Sequence, residues 1–191
     1  MRETLQSIKK TLEEKNHVLI AISERDVTAG NPIGADGIAS ALALYQLLTK
    51  LGKQVDIVMS NFKTRAEFAF LPHLEIIQNK IKTTKPFVIS LPIDNKKISD
   101  FSYEIVDHEL KIFITPAEGK IDATKIKLEQ IPYVYDLVIT VDAPTLPSLG
   151  SIYEENRELF QTLPIINIDH SPKNARFGHI NYVDISAAAT A

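Results

Sequence analysis

The chain contains no cysteine among its 191 residues, which excludes disulfide bonds, thiolate nucleophiles and zinc-thiolate sites. No apolar run approaches the roughly 18 residues of a membrane-spanning helix, and no signal-peptide pattern is recognisable, so we expect a cytoplasmic protein without membrane contact. Basic residues are not in excess. The net charge of -3 argues against duplex binding through a basic surface, although it leaves a local basic pocket open. Glycine and proline are few, while 45% of the residues are hydrophobic, as is typical of a globular protein with a buried core.

Short apolar runs alternate along the chain with amphipathic, helix-forming stretches. The predicted strands are His17–Ser23, Gln54–Met59, Phe87–Leu91, Asp136–Asp142, Pro164–Asp169 and Ile180–Asp184. The predicted helices are Arg2–Asn16, Asp36 to a stop at Gly52, Thr64–Leu71, Glu75–Lys80, Asp122–Gln130, Ser151–Leu163 and a last one that begins at Ile185 and is unfinished at Ala191. Uninterrupted apolar strands are typical of a parallel sheet buried on both faces. We therefore predict an α/β fold with a three-layer, doubly wound, mainly parallel sheet of about five strands.

The stretch from Ser102 to Thr115 has a different pattern. Apolar and polar residues alternate there on either side of a turn near Asp107 and His108. A period of two is typical of antiparallel strands with one solvated face. We interpret residues 102–115 as a β-hairpin insertion, an antiparallel β extension within one α/β domain that occupies residues 1–191.

Three acidic residues lie where strands give way to loops or helices. Asp36 begins a helix after the first strand, Asp142 and Asp169 end two later strands, and His170 follows Asp169 directly. Ligands of open α/β sheets bind at this carboxyl edge, and several carboxylates with an imidazole favour a site for a hard or borderline cation. The alternative for Asp169 and His170 is a loop-capping acid beside a surface imidazole.

Four ordered blocks of the sequence resemble the DHH family of phosphoesterases. Asn167-Ile168-Asp169-His170-Ser171-Pro172-Lys173-Asn174 is similar to the motif that names the family, a strand followed by Asp-His-His and then Asn. The other blocks are Asp36–Ser40 with the Ala/Leu helix behind it, Val138–Gly150 and Phe177–Asp184. The resemblance implies a nano-RNase-like or exopolyphosphatase-like hydrolase. Its activity would be metal-dependent hydrolysis of phosphoester bonds in short oligonucleotides or nucleotide phosphates.

The resemblance also implies a ligand set for the metal. Asp36, Asp142 and His170 match metal-ligand positions of the family, with Asp142 in the bridging position. Asp169 would lie behind them and orient His170 or its loop. No catalytic residue is assigned beyond these ligands.

Other positions depart from the family pattern. The first motif has the form His-x-x-x-Asp-x-Asp, and Gly30 and Gly34 stand where its histidine and first aspartate are expected. Ser171 replaces the second histidine of the naming motif. A metal pair of the kind used in two-metal hydrolysis needs more ligands than remain. We therefore expect at most one Mn²⁺ or Mg²⁺ ion in this chain.

Three residues near the motif are predicted to bind substrate, namely Ser171, Asn174 and Arg176. The expected partner is a nucleotide or short oligonucleotide. The resemblance implies that the C-terminal part is truncated and that the family's C-terminal substrate-binding domain is missing; a homodimer is also open. Two functions remain at this stage: a phosphoesterase, impaired in this chain, and a catalytically silent domain that binds a nucleotide or a partner.

Overall fold

The computed structural model describes residues 2–24, 35–64, 66–82, 87–130 and 133–190, apart from the side chains of Glu67 and Gln130. The chain divides into two compact units. The larger consists of Met1–Thr84 and Tyr133–Ala191, and the smaller of Lys85–Pro132. None of the helices described here has the length and apolar character that crossing a bilayer requires.

Ten strands and four α-helices make up the described chain. The strands are β1 (His17–Ile22), β2 (Gln54–Met59), β3 (Ile77–Gln78), β4 (Phe87–Ser90), β5 (Ile98–Val106), β6 (Glu109–Pro116), β7 (Lys127–Gln130), β8 (Leu137–Val141), β9 (Ile165–Asp169) and β10 (Ile180–Val183). The helices are α1 (Arg2–Glu14), α2 (Ala35–Lys50), α3 (Ser151–Glu154) and α4 (Arg157–Thr162).

The larger unit is built on a six-stranded sheet with the order β10-β9-β8-β1-β2-β3. All neighbouring strands in it run parallel. The order reverses between β1 and β8, and this is the switch point beside which ligands bind in doubly wound sheets. Ile22 pairs with Val141, so β1 and β8 end at the same level. The predicted α/β class is confirmed, with six strands rather than about five.

Helices cover both faces of this sheet because successive residues of each strand face opposite sides. In β1, Val18, Ile20 and Ile22 pack into one core with α1 and α2. Leu19 and Ala21 pack into a second core with α3 and α4. All five side chains are at most 1% exposed, and burying each of the larger ones contributes about 1.5–3 kcal/mol. The uninterrupted apolar character of the strand follows from this double burial.

Gly52 terminates α2 as predicted. It adopts a φ of 78°, and the next residue, Lys53, donates its N–H to the Leu48 carbonyl at 3.0 Å. The hydrogen bond pairs a carbonyl in the last turn of α2 that has no partner within the helix. It requires a left-handed backbone at Gly52, just past the end of the helix, where glycine is favoured.

The smaller unit contains two antiparallel pairs, β4 with β7 and β5 with β6. Asp107 and His108 join β5 to β6 with φ values of 50° and 67°. Two successive left-handed residues form the tight turn whose twist matches that of the flanking strands. The predicted antiparallel extension is therefore present as the β5–β6 hairpin.

Two predictions for the smaller unit differ from the structure, one in the placement of a strand and one in the type of element. Phe87–Leu91 does not join the parallel sheet: its residues Phe87–Ser90 form β4, pair with β7 and are mostly exposed. A short apolar run has no periodicity that separates a buried central strand from a peripheral one. The helix predicted at Asp122–Gln130 is a 3₁₀ turn, Ala123–Lys125, followed by β7. The Asp122 carboxylate accepts the Thr124 N–H there, which favours a turn over a helix.

The helices predicted at Thr64–Leu71 and Glu75–Lys80 are also shorter than expected. They are 3₁₀ turns at Ala66–Phe68 and Leu74–Ile76. Pro72 lies between them, and a proline disfavours helical backbone in the residue before it.

Two further helical predictions in the larger unit differ from the structure, the first in part and the second entirely. Ser151–Leu163 is divided into α3 and α4 at Asn156, which has a φ of -133°. The side-chain amide of Asn156 donates to the Ile152 carbonyl. The stretch after Ile185 forms turns up to Thr190. The Asp184 carboxylate accepts the N–H and the hydroxyl of Ser186, a local bond that competes with a helix.

Candidate metal centre

Three predicted ligands converge at the switch point of the sheet. Asp36 lies in the first turn of α2, Asp142 directly follows β8, and His170 directly follows β9. His170 Nε2 lies 3.3 Å from Asp36 Oδ2 and 3.8 Å from Asp142 Oδ1. One ligand atom of each residue lies within 4.8 Å of the other two. The arrangement gives two carboxylates and an imidazole that could hold a metal ion together.

Asp142 is the most buried of the three, with 1% of its surface exposed. Its φ of 55° is in the left-handed region, which aspartate tolerates better than most residues. Its N–H donates to the Ile168 carbonyl at 3.0 Å, so the position is fixed against β9 immediately after β8 ends. A carboxylate this deeply buried requires compensating charge or donors, and a metal ion held with Asp36 and His170 could supply such charge.

Gly37 allows α2 to approach Asp142 closely. A Cβ built on Gly37 would lie 3.2 Å from the Asp142 Cβ, 3.3 Å from its Oδ2 and 3.0 Å from Ile22 Cγ2. A side chain at this position would therefore force the helix or the aspartate to move. The N-terminus of a helix carries partial positive charge, which favours nearby carboxylates.

Asp36 is held by two donors. The Ser40 hydroxyl donates to Oδ1 at 3.2 Å, and the Thr190 N–H donates to Oδ2 at 2.7 Å. Oδ2 is also the oxygen closest to His170. These bonds fix the orientation of the carboxylate from two sides.

Asp169 shapes the loop that carries His170 and acts through the backbone. Its Oδ1 accepts the N–H groups of His170 and Ser171 at 2.8 and 3.1 Å. Its Oδ2 accepts the side-chain amide of Asn174 at 2.6 Å. Asp169 is buried, with 3% of its surface exposed, and its carboxylate stabilises the turn of the loop through these three hydrogen bonds.

A buried amide network connects this loop to the residue after Asp142. Asn167 accepts the Thr140 hydroxyl at 3.1 Å and donates to Asn174 at 3.0 Å. Asn174 in turn donates to the Ala143 carbonyl at 3.1 Å. The loops after β8 and β9 are thereby held together. Sequence reasoning missed the network, although Thr140 and Asn167 are polar residues within apolar strands and pair directly in the sheet register.

The predicted substrate-binding residues do not all face the same space. Ser171 Oγ accepts the Lys173 N–H at 3.2 Å, which leaves its own O–H able to donate. The Asn174 side chain takes part in the network described above. Arg176 lines an open groove of about 390 Å³, whose lining includes Glu3 and His179 and none of the three candidate ligands. Gly30 and Gly34 lie outside the described residues.

A second polar cluster surrounds Asp56 near the N-terminal ends of β1 and β2. Its carboxylate accepts Lys82 Nζ at 2.7 Å and the Tyr135 hydroxyl at 3.1 Å, with His17 Nε2 at 3.4 Å. Burial alone would raise the pKa of Asp56, but Lys82, Tyr135 and His17 together outweigh it and lower that pKa. Burial and the neighbouring Asp56 raise the pKa of Tyr135. The cluster is internally satisfied and has the character of a structural ion pair.

Comparison with known proteins places the fold among α/β domains with a mostly parallel sheet. An exopolyphosphatase-related protein from Bacteroides fragilis has a similar structure, with a TM-score of 0.58 and 13% sequence identity. The similarity covers all of this chain and 41% of that protein, so this chain spans less than half of its length. At this identity the likeness shows the fold alone. No family model and no curated protein matches the sequence.

Proposed function

We propose that this chain is a metal-dependent phosphoesterase domain of the DHH type. It holds one Mn²⁺ or Mg²⁺ ion at Asp36, Asp142 and His170 and hydrolyses a phosphoester bond in a nucleotide or short oligonucleotide. The observation that carries the proposal is the convergence of these three ligand atoms within 4.8 Å. Its position at the switch point of the sheet, where ligands bind, and the fold shared with the exopolyphosphatase-related structure support it.

The donor set suits a borderline or hard divalent cation. Two carboxylate oxygens and one imidazole nitrogen match Mn²⁺, and carboxylates with water match Mg²⁺. Three protein ligands leave positions for water and a phosphate oxygen. A bound dication would compensate the negative charge of the two carboxylates, so the burial of Asp142 would become less costly on binding.

The surrounding residues supply positioning. A bound cation would polarise a phosphoryl oxygen and lower the pKa of a coordinated water. Asp169 and Asn174 hold the His170 loop in place, and the Ser171 hydroxyl can donate to a phosphate oxygen. Hydrolysis forms one bond from water oxygen to phosphorus and breaks the ester P–O bond. One proton of the attacking water goes to the oxygen of the departing alcohol.

Thermal melting with Mn²⁺ tests the metal site. An ion that binds only the folded protein stabilises it by RT ln(1 + [L]/Kd), about 2.7 kcal/mol at a concentration of 100 Kd. We expect excess Mn²⁺ to raise the Tm of the wild type and to have little effect on His170→Asn. The matched control is His108→Asn in the hairpin turn of the smaller unit, where asparagine tolerates the left-handed backbone. A wild type without any gain, or a His170→Asn variant with the full gain, would contradict the site.

A chromogenic phosphodiester and a dinucleotide test turnover. We expect hydrolysis that requires Mn²⁺, is abolished by chelator and falls at least about 100-fold in Asp142→Asn, because the buried ligand is removed. Hydrolysis that resists both the chelator and Asp142→Asn would come from another source and would exclude the proposed activity.

A second candidate is a catalytically silent nucleotide-binding domain. It is favoured by Ser171 at the position of the second motif histidine and by the single cluster of candidate ligands in the described residues. This alternative predicts nucleotide binding, measured by titration calorimetry, that survives chelation and is not followed by hydrolysis. Two cations bound in one site would exclude it.

A further inference from the structure

The β5–β6 hairpin has one face made entirely of apolar side chains. In its register Phe101 pairs with Ile114, Tyr103 with Ile112, and Ile105 with Leu110. Since directly paired residues lie on the same face and alternate positions share it, these six side chains form one continuous surface. We call it the apolar face of the hairpin; Tyr103 contributes its only hydroxyl, and none of the six carries a charge.

The opposite face of the same hairpin is mainly polar. It contains the pairs of Asp100 with Thr115 and of Glu104 with Lys111, the second being an attractive cross-strand pair. Two apolar residues, Phe113 and Val106, also lie on it, paired with Ser102 and Glu109. The hairpin is therefore a two-sided ribbon, patterned like a strand pair with one buried and one solvated face. Among the described residues, most side chains on the face with the buried-type pattern are exposed.

The exposed fractions establish this directly. Phe101, Tyr103, Ile105 and Leu110 are 61–70% exposed: 64%, 68%, 70% and 61% in that order. Ile112 is 38% exposed, and Ile114 is half-buried. An isolated two-stranded hairpin is only marginally stable in water, so an uncovered apolar face of this size is unfavourable in a lone chain.

The size of the face is sufficient for a modest interface. With about 150–200 Å² for each large apolar side chain, the exposed parts add up to about 500 Å². This lies at the upper end of the largest patch on a monomer, about 300–600 Å². Two such faces in contact would bury about 1,000 Å², which is the lower limit for a specific biological interface.

We propose that the apolar face of the hairpin is a dimerisation surface that packs against the same face of a second copy of this chain. Two strand pairs packed face to face would make a small sandwich with a dry centre. Such a contact is self-complementary, as a two-fold interface requires. The charged side chains lie on the opposite faces, so the two copies approach without like charges in contact.

The charge of the hairpin disfavours the other occupants. Ile98–Pro116 contains four acidic residues, Asp100, Glu104, Asp107 and Glu109, and one lysine, Lys111. An acidic ribbon repels the phosphates of a nucleic acid and the surface of an anionic membrane. A second copy carries the same acidic residues, but in a face-to-face pair they lie on the two outer surfaces, on either side of the apolar contact, where solvent and salt screen them.

Sedimentation equilibrium tests the proposal on the full 191-residue chain. The decisive variants are Tyr103→Glu, which places a charge on the apolar face, and its matched control Ser102→Glu, which places the same charge on the other face of β5. We expect the wild type to dimerise between about 1 and 100 µM. Tyr103→Glu should raise the dimer Kd at least about 100-fold, because a charge would be buried, whereas Ser102→Glu should change it by no more than about twofold. Far-UV circular dichroism checks that both variants are folded.

A thiol reporter gives an independent measurement. Because the chain has no cysteine, a single thiol at Ile112→Cys reports on the apolar face and one at Lys111→Cys on the other. We expect alkylation of Ile112→Cys by iodoacetamide to slow at least about tenfold as the protein is concentrated from about 1 to 100 µM. Alkylation of Lys111→Cys should keep its rate.

Several results would overturn the proposal. These are a wild type that stays monomeric to about 100 µM, equal effects of Tyr103→Glu and Ser102→Glu, or equal alkylation of the two thiols at all concentrations. Binding to phosphatidylcholine vesicles, or to a fluorescent oligothymidine, that is lost in Tyr103→Glu and occurs without dimerisation would assign the face to lipid or to nucleic acid. None of these outcomes depends on the proposed phosphoesterase activity.

Discussion

Gly37 and Asp142 pack backbone against side chain at the centre of the site. A Cβ at Gly37 would lie 3.2 Å from the Cβ of Asp142 and 3.3 Å from its Oδ2. Contacts in this range are tight, and the neighbouring Ile22 leaves no room on the other side. The missing side chain of Gly37 therefore sets the distance between the start of α2 and the buried carboxylate.

Gly37→Ala should weaken metal binding more than it weakens the fold. The added methyl group displaces Asp142 or α2, and overpacking of this kind costs about 1–3 kcal/mol. The better helix propensity of alanine returns up to about 1 kcal/mol. We expect a small loss of stability and a Kd for Mn²⁺ raised about tenfold, measured by urea unfolding and by calorimetry.

Gly52→Ala is the matched control. A Cβ at Gly52 meets nothing within 4 Å, but the residue has a φ of 78°. Alanine there is strained by its backbone and should cost about 1 kcal/mol of stability. Its Kd for Mn²⁺ should stay at the wild-type value. A Gly37→Ala variant that binds Mn²⁺ as Gly52→Ala does would show that the close approach has no bearing on the site.

Asn174→Ala should loosen the loop that carries His170. The change removes the donors to Asp169 and Ala143 and the acceptor for the Arg176 N–H. Leaving such partners unsatisfied costs about 1–3 kcal/mol. Because the loop carries His170, a proposed metal ligand, we expect the Kd for Mn²⁺ to rise about 10-fold to 100-fold, as for residues that orient metal ligands in other proteins. Calorimetric titration at fixed pH provides the measurement.

Thr140→Val separates this effect from general destabilisation. The hydroxyl of Thr140 donates only into the Asn167 end of the network, away from the loop. Valine there should cost about 1 kcal/mol and leave Mn²⁺ binding unchanged. If both variants lost affinity in proportion to their loss of stability, the network would have no separate positioning role.

Lys82→Ala should change how stability depends on pH. Burial acts to raise the pKa of Asp56, and Lys82 is the strongest of the groups that lower it. A carboxyl with a lowered pKa in the folded state stabilises the protein above its unfolded pKa of about 3.9, and this contribution is lost as pH falls through the lower folded value. Lys82 is half-exposed, so the loss at pH 7 should be no more than about 1 kcal/mol.

The measurement is urea unfolding of both proteins from pH 7 to about pH 3. The difference in unfolding free energy between wild type and Lys82→Ala should be largest at pH 7 and should shrink below about pH 4. Lys80→Ala, an exposed lysine two residues earlier, serves as control and should not reproduce this pattern. A difference that is constant across the range would mean that Lys82 acts through packing alone.

The convergence of Asp36, Asp142 and His170 is predictable from the sequence because Asp142 and His170 directly follow mainly apolar strands and Asp36 lies in the first turn of the helix after β1. Parallel strands end at one edge of a sheet, so chain order alone brings such residues together. The buried amides were harder to foresee. Thr140 and Asn167 interrupt their strands with one polar residue each, and a single sequence does not reveal that the two pair with each other.

In other parts of the fold, the local sequence pattern is compatible with more than one structure, and contacts with other segments decide between them. Phe87–Leu91 is apolar enough for the main sheet, but it pairs with β7 in the smaller unit. Ile185 and the alanines after it favour a helix by propensity. Instead, the Asp184 carboxylate accepts the Ser186 N–H, and the Thr190 N–H donates to the Asp36 carboxylate. A long-range contact of this kind overrides a propensity of a few tenths of a kcal/mol per residue.

The pairing of β1 with β8 also determines when the site can form. The His17 N–H and the Asp136 carboxylate that accepts it are 119 residues apart, whereas β1 and β2 are joined by the local α2 connection. Closing so long a loop costs little more than closing a shorter one, because the entropy cost grows only with the logarithm of length. The pairing of β1 with β8 can nevertheless form only after β8 has been synthesised, because synthesis proceeds from the N-terminus. Asp36 is therefore in the growing chain long before His170 exists, and metal binding would report that folding is complete rather than initiate it.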